Sequence, residues 1–336
     1  MEKRRVCFSR ISMLLLMLVI CTSGVWAQTD KAALAKEVYV MVGIHTGNPV
    51  FIPDQKFWNA KGKELGVQTR VVGPPAGDIP AMINAFEQTI AQKPAGIMVI
   101  GWDASLVSLV DKAIDAGIPV ITWDADLPTS KRIAHVGTNW TELGVKLAQN
   151  LAKEMGYKGK VGRLGVVGTP HIDAAMQTFA DWMAKNAPNI VVLPVQDDKG
   201  SIEVGMKATA ALIAQNPDLT GMAGFDSNSG DGICPAVKEA GKAGKIKVAM
   251  NDILPAHLQF LKEGTAQYVL GQKRNIFGPI GLQLLFDINH ADAKFTPRDK
   301  ALGIYPVPEK IDTGFLIVTP QNVKDFEDGQ KLLMQK

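Results

Sequence analysis

Cysteine is scarce in this chain, and what little there is lies mostly at the N-terminus. Of three cysteines in 336 residues, Cys7 and Cys21 fall within the first 27 residues, so only Cys234 remains in the 309 that follow. One thiol cannot close an internal disulfide, so the fold must rely on hydrophobic cores. Because 309 residues exceed what a single core usually spans, we expect two lobes.

Long hydrophobic runs are also missing after the N-terminus. Four basic residues precede or border an apolar stretch from Ile11 to Ile20, and a Val25-x-Ala27 cleavage pattern follows. This order is typical of a secretory signal peptide, and the apolar stretch is shorter than the roughly 20 residues that a membrane span needs. We therefore expect residues 1–27 to be removed and the remainder to be exported.

No excess of either charge remains once this leader is set aside. The whole chain has a formal net charge of +3, but the leader contains four of the 36 basic residues and one of the 33 acidic residues, which leaves 32 of each. A neutral chain offers no support for a nucleic-acid partner or for an anionic membrane surface.

Sequence patterns typical of catalysis, metals and nucleotides are absent too. The five histidines show no HxH or HxxxH spacing, and the glycines at 162, 165 and 168 lack the GxGxxG spacing of a dinucleotide site. Neither a GxxxxGK[ST] loop nor a GxSxG nucleophile motif occurs. We expect no metal, no cofactor and no enzymatic activity.

What the sequence does contain is a repeated α/β pattern. Continuous apolar runs such as 38–44, 96–100 and 118–123 alternate with amphipathic helical stretches, which indicates parallel strands covered on both faces. The pattern begins again after Asn139, and both copies end a strand on an aspartate, at Asp124 and Asp252. The predicted fold is α/β, with two similar doubly wound parallel-sheet lobes.

Segments left over from the two lobes predict a hinge. We expect the chain to cross between lobes near 133–138, 270–272 and 307–313, which makes a three-crossing hinge. The predicted first lobe comprises residues 28–137 plus 272–308. The predicted second lobe comprises residues 138–271 plus 309–336.

Polar and aromatic residues cluster at or just beyond the ends of the predicted strands. Ligands of open α/β sheets bind beyond the carboxyl ends of the strands. Carboxylates and amides accept hydrogen bonds from hydroxyls, and aromatic rings cover the apolar face of a sugar, so the set fits a polyhydroxyl ligand. The predicted ligand-binding residues are His45, Asn48, Phe51, Trp102, Asp124, Asn139, His171, Asp173, Phe225, Asp226, Asp252 and Gln272. Asn139 also has a second interpretation, because Glu142 completes a capping box with it.

Several short motifs together resemble the periplasmic sugar-binding proteins of the ribose-binding type, which have the periplasmic binding protein type I fold and serve ABC importers. They include Gly47-Asn-Pro-Val-Phe51, Ala116-Gly-Ile-Pro-Val-Ile-Thr-Trp-Asp124, Leu270-Gly-Gln272 and Asp312-Thr-Gly314. The resemblance implies a hydroxyl-binding role for Asn48, sugar stacking for Phe51, strand-end binding roles for Asp124 and Asp252, and a hinge role for Gln272. It also implies a monomer in the periplasm that delivers a monosaccharide or polyol to an ABC transporter permease in the inner membrane.

The sequence departs from this family at two positions that often carry a sugar-binding arginine. Ala125 and Asp173 stand there, and Lys273 and Arg274 are the candidates to compensate. Arginine donates hydrogen bonds whereas aspartate only accepts them, so the sequence predicts an acceptor-rich cleft. A small cationic ligand or an amino sugar is the alternative ligand class. Signalling to a chemotaxis receptor or a sensor kinase is the alternative to import.

The leader can be tested directly by mass. Intact-mass spectrometry of the exported protein should give the mass of residues 28–336, because cleavage is expected after Ala27. Protein recovered from the exported fraction with residues 1–27 still attached would contradict the assignment.

Overall fold

The computed structural model describes residues 31–290, 302 and 307–335 of the chain. The predicted signal peptide lies outside these residues, as do positions 291–301 and 303–306 of the predicted first lobe. Within the described residues, no helix combines the length and the apolar character that crossing a membrane requires.

Twelve strands among the described residues form two six-stranded sheets. In chain order they are β1 (Val38–Val42), β2 (Gln68–Val72), β3 (Gly96–Ile100), β4 (Val120–Trp123), β5 (Ala134–Gly137), β6 (Gly159–Gly165), β7 (Ile190–Asp197), β8 (Leu219–Gly224), β9 (Lys247–Asn251), β10 (Tyr268–Gln272), β11 (Lys310–Asp312) and β12 (Phe315–Val318).

Helices cover both faces of each sheet. They are α1 (Ile52–Leu65), α2 (Ile79–Ala91), α3 (Val107–Asp115), α4 (Trp140–Glu154), α5 (Pro170–Asn186), α6 (Ile202–Gln215), α7 (Ser229–Glu239), α8 (Pro255–Lys262), α9 (Arg274–His290) and α10 (Val323–Gln335). Central strands such as β3 are therefore buried along their whole length, as the continuous apolar runs indicate.

The two sheets have matching topologies. The first has the order β11-β5-β4-β3-β1-β2 and the second β12-β10-β9-β8-β6-β7. Every strand pair is parallel except β10 with β12, which is antiparallel. The prediction of two similar doubly wound lobes is confirmed.

Within the described residues, the chain passes between the lobes three times. It crosses from β5 to α4, from β10 to α9, and from β11 to β12. Thr313 and Gly314 make the last crossing: the Thr313 amide donates to the Gly137 carbonyl at 2.9 Å, and Gly314 turns the chain at a φ of +70°. All three connections are short, which suits a hinge.

One predicted lobe boundary differs from the structure. The boundary drawn at residue 309 places Lys310–Asp312 in the second lobe, but this segment forms β11, which pairs with His135–Gly137 of the first sheet. The sequence of β11 does not show the apolar run of a buried strand, because this edge strand has only three residues and two of them are exposed.

Close approach of two helices stabilises the second lobe. Gly144 of α4 faces α5, and a Cβ atom built on it would lie 2.0 Å from the carbonyl oxygen of Ala175. Leu143, Leu147 and Leu151 of α4 are fully buried in the same core. The contact between the two backbones therefore requires glycine at position 144.

A pair of glycine substitutions tests this contact. Gly144→Ala should lower the free energy of unfolding by about 1–3 kcal/mol, since overpacking forces the helices apart. Gly329→Ala is the matched control: Gly329 is an exposed helical residue of α10 whose added Cβ meets nothing within 4 Å. It should be neutral or stabilising by up to about 1 kcal/mol. Urea denaturation measures both, and equal effects would contradict the packing argument.

Candidate ligand-binding site

A cavity of about 340 Å³ lies between the two lobes, at the carboxyl ends of their strands. Both lobes contribute to its wall. Seven of the residues that we expect at the ligand line it: His45, Asn48, Phe51, Trp102, Asp124, Asp226 and Asp252.

Two aspartates occupy equivalent positions in the two lobes. Asp124 follows β4 and donates its amide to Val136 at 3.1 Å, while Asp252 follows β9 and donates its amide to Leu270 at 2.9 Å. Both have left-handed backbone conformations, with φ of +60° and +64°. Such conformations are uncommon in residues other than glycine and concentrate at functional sites. Each lobe thus presents one strand-end carboxylate to the cavity.

Arg274 lies among these carboxylates at the first residue of α9. Its guanidinium contacts Asp54 through Nη1 at 3.1 Å and Asp124 through Nη2 at 3.0 Å. Its Nε atom lies 4.0 Å from Oδ1 of Asp252, so three carboxylates surround one cation. Arg274 is only 7% exposed and lines the cavity. The cleft therefore contains a buried arginine, although the two positions where the family resemblance predicts one are occupied by Ala125 and Asp173.

Phe51 supports this arginine as well as lining the cavity. The guanidinium carbon lies 4.7 Å from the centre of the Phe51 ring, and the ring meets Trp123 edge to face at 5.8 Å. A cation over an aromatic face is attracted by the electron density of the ring. Phe51 therefore restricts the guanidinium plane in addition to any contact that it makes with a ligand.

Asp226 belongs to a carboxyl pair in the wall of the second lobe. The Ser229 hydroxyl lies 2.5 Å from Oδ2 of Asp226 and 2.5 Å from Oδ2 of Asp198. One hydroxyl can donate to only one of them, so the other carboxyl must carry a proton to make its hydrogen bond. Burial, together with the charge of Asp198, raises the pKa of Asp226 to about 8.

Two predicted residues lie one contact behind the cavity wall. Gln272 donates from Nε2 to Oδ1 of Asp252 at 3.2 Å and so orients that carboxylate. His171 is packed against two indoles, with ring centres 5.1 Å from Trp102 and 4.5 Å from Trp140. Burial lowers the pKa of His171 to about 4, so the imidazole is neutral at physiological pH.

Three other predicted residues are not brought to the cavity, and each has a local structural role. Asn139 is exposed and caps α4 by accepting from the Glu142 amide at 3.2 Å, which is the capping interpretation. Asp173 accepts from the Gly168 amide at 3.1 Å and closes the turn before α5. Phe225 is 0% exposed and packs against Phe179 in the core of the second lobe.

Other residues at the cavity were not predicted. Asp54 approaches from behind Arg274, and Trp140 and Lys199 line the wall directly. Asp54 lies in the first turn of α1, where acidic residues are ordinary, and Lys199 lies in a loop. Of these three residues only Trp140 has a sequence signal, because it lies two residues after a predicted crossing.

Several buried polar atoms of the cavity wall, or one contact behind it, have no hydrogen-bond partner in the part of the chain that the structure describes. They include Oδ1 of Asp124, Oε1 of Gln272 and Nε of Arg274. Buried polar groups are nearly always paired in folded proteins, and those left over require an explanation. These two acceptors and one donor are groups to which a small polar ligand in the cavity would hydrogen-bond.

The pKa values of the carboxyls reflect this crowding. Burial raises the pKa of Asp54 to about 8 in spite of the opposing charge of Arg274. Burial also raises the pKa of Asp252, again against the effect of Arg274. For Arg274 burial acts in the opposite direction, but the charges of Asp124, Asp54 and Asp252 outweigh it and its pKa is raised.

Comparison with known proteins gives a consistent result. A sequence model described as the periplasmic binding protein domain matches residues 38–291. The D-ribose/D-allose-binding protein of Pseudomonas aeruginosa is 27% identical over 248 residues, which cover 70% of this chain and 75% of that protein.

Solved structures are similar over most of the chain. The sugar-binding protein of a sugar ABC transporter from Bacillus halodurans has a TM-score of 0.80 at 27% identity, covering 86% of this chain and 100% of that one. A solute-binding protein of an ABC transporter from Agrobacterium vitis, bound with α-D-tagatopyranose, has a TM-score of 0.77 at 27% identity, covering 86% and 97%.

The raised carboxyl pKa values predict how stability depends on pH. Asp54 and Asp226 hold protons up to about pH 8 when folded but release them above about pH 4 when unfolded, so folding takes up protons and stability falls as pH rises between those values. The melting temperature should therefore be at least about 2 °C lower at pH 8 than at pH 6.5.

The pH window lies above the range in which two buried histidines affect stability. Burial lowers the pKa of His135 and of His171 to about 4, so their contribution to stability changes with pH mainly at values lower than about pH 6.5. Asp54→Asn should reduce the slope between pH 6.5 and 8, whereas the exposed Asp181→Asn should not change it. A melting temperature that stays level or rises over this window would show that the carboxyls are ionised throughout.

Proposed function

The chain belongs to the periplasmic binding protein family, and on that premise we propose that it is a periplasmic receptor that binds one monosaccharide or polyol between its lobes for an ABC importer. The observation that carries the proposal is the cavity itself, which is lined by residues of both lobes and lies beside buried polar groups that have no hydrogen-bond partner within the described residues. The sugars in the names of the relatives support the same ligand class.

The residues at the cavity supply the interactions that a sugar needs. The carboxylates of Asp124 and Asp252 accept hydrogen bonds from sugar hydroxyls, and Nε of Arg274 donates one to a sugar oxygen. The indoles of Trp102 and Trp140 cover apolar C–H faces. A volume of about 340 Å³ is near the lower end of the roughly 300–1,000 Å³ found for ligand pockets, which favours a single sugar unit over an oligosaccharide.

Binding is coupled to closure of the lobes. Asp124 and Trp102 belong to the first lobe, whereas Asp252 and Asp226 belong to the second, so a ligand contacts both only when the lobes are together. A ligand shifts an equilibrium toward the conformation that it binds better. The three short connections between the lobes absorb the rotation.

The surroundings of the receptor follow from the same proposal. A leader removed after Ala27 places the protein in the periplasm, and the closed, loaded form docks as a monomer on the permease in the inner membrane. This role requires binding and release without chemical conversion, so we assign no catalytic residue.

A thermal-shift screen tests the proposal. Among aldoses, ketoses, polyols and small amines, at least one sugar or polyol should raise the melting temperature, because a ligand present at about 100 times its Kd stabilises by roughly 2.7 kcal/mol. Asp252→Asn should raise the Kd of the best ligand by about tenfold or more, since a carboxyl acceptor is lost from the cleft.

The control for this substitution is the exposed Asp181→Asn, which should bind as the unmodified protein does. Stabilisation by none of the sugars or polyols, or by amines alone, would overturn the proposed ligand class.

A further inference from the structure

Arg274 can serve a ligand only if its orientation is fixed. The side chain is long and flexible, and a guanidinium donates from three nitrogens in a planar fork. In this structure both terminal nitrogens contact carboxylates, whereas Nε lies 4.0 Å from Oδ1 of Asp252 and has no hydrogen-bond partner within the described residues. The groups that contact the guanidinium set that orientation.

We propose that Asp54 is a positioning residue: it holds Nη1 of Arg274 from behind, so that Nε faces the sugar in the cleft. The proposal rests on the proposed function. Asp54 is 0% exposed, does not line the cavity, and makes its hydrogen bond to Arg274 at 3.1 Å. Arg274 is the cavity residue to which Asp54 is hydrogen-bonded, so we expect Asp54 to affect binding through it.

Helix packing brings the two residues together. Gly278 lies one turn after Arg274 on α9, and a Cβ atom there would meet the Asp54 carbonyl oxygen at 2.8 Å and the Trp58 nitrogen at 2.9 Å. Residues four apart share a helix face, so the glycine that lets α1 approach α9 also sets the position of Asp54 beside Arg274. The contact is thus a consequence of two packed helices of the first lobe.

A second aspartate–arginine pair in the same lobe is bonded differently. Asp126 contacts Arg132 through both Nε, at 2.5 Å, and Nη2, at 2.7 Å, so one carboxylate occupies that side of the fork. At Arg274 two separate carboxylates hold the two terminal nitrogens, and Nε has no hydrogen-bond partner within the described residues. This arrangement leaves one donor without a partner in a side chain that lines the cavity.

A purely structural role would not need a carboxyl group at position 54. Burying a polar group is costly, and well-packed apolar residues often replace buried polar pairs without loss of stability. Asp54 is a third carboxyl group in a site where Asp124 and Asp252 already lie beside Arg274. A positioning role accounts for this additional buried group.

The test uses two substitutions that keep the branching of the Asp54 side chain at Cγ. Asp54→Asn retains an oxygen that accepts from Nη1, whereas Asp54→Leu retains none. With D-ribose, D-allose and D-tagatose as probes in titration calorimetry, Asp54→Leu should raise the Kd of the tightest-binding probe by about tenfold or more. Asp54→Asn should stay within about threefold of the unmodified protein.

A double-mutant cycle shows whether Asp54 acts through Arg274. In an Arg274→Met background, Asp54→Leu should cause no further loss of affinity, because the side chain that it positions is gone. Asp126→Leu is the matched control, since it removes the carboxyl group from another aspartate–arginine pair of the same lobe, outside the cavity wall. It should lower the melting temperature and leave affinity within about twofold.

The possible outcomes separate the two proposals. If the unmodified protein and the Asp54→Leu protein bind a probe equally well, the positioning role is wrong while the receptor function stands. The same conclusion follows if the losses of binding free energy caused by Asp54→Leu and Arg274→Met add in the double mutant. If the unmodified protein binds none of the probes and no other sugar or polyol, the receptor function fails and the positioning role fails with it. An Asp54→Leu protein that does not fold, together with an Asp54→Asn protein weakened as much as Arg274→Met, would also overturn the positioning role.

Discussion

The interaction on which the site depends is the contact of one guanidinium with several buried carboxylates. Arg274 comes from a helix that begins at a crossing between lobes, Asp54 from a neighbouring helix, and Asp124 from the end of a strand. Separately each group would be costly to bury, but together they satisfy one another in part. The packing of α1 on α9 and the turns after β4 and β9 are the structural conditions for that contact.

The two lobes also divide the recognition task between them. Each ends an equivalent strand on an aspartate in a left-handed conformation, so the internal repeat places two acceptors opposite each other. The rest of the two walls differs: the first lobe adds Arg274 and Trp102, whereas the second adds the Asp226–Ser229–Asp198 chain. A symmetric scaffold therefore carries an asymmetric binding surface.

Sequence reasoning found the parts of this site that depend on local order and missed those that depend on packing. Asp124 and Asp252 were predictable because each directly follows a strand, and the edge of a parallel sheet collects such residues. Asp54 and Arg274 are 220 residues apart, and only the contact of two helices joins them. Phe225 was misplaced because the residue that follows a strand can face the core as easily as the cleft.

The most direct test of the account is a high-resolution structure with the bound sugar. We expect sugar oxygens within hydrogen-bond distance of the carboxylates of Asp124 and Asp252 and of Nε of Arg274. We also expect Nη1 of Arg274 to remain hydrogen-bonded to Asp54. A sugar bound away from the cleft, or an Arg274 side chain turned away from Asp54 in the complex, would contradict it.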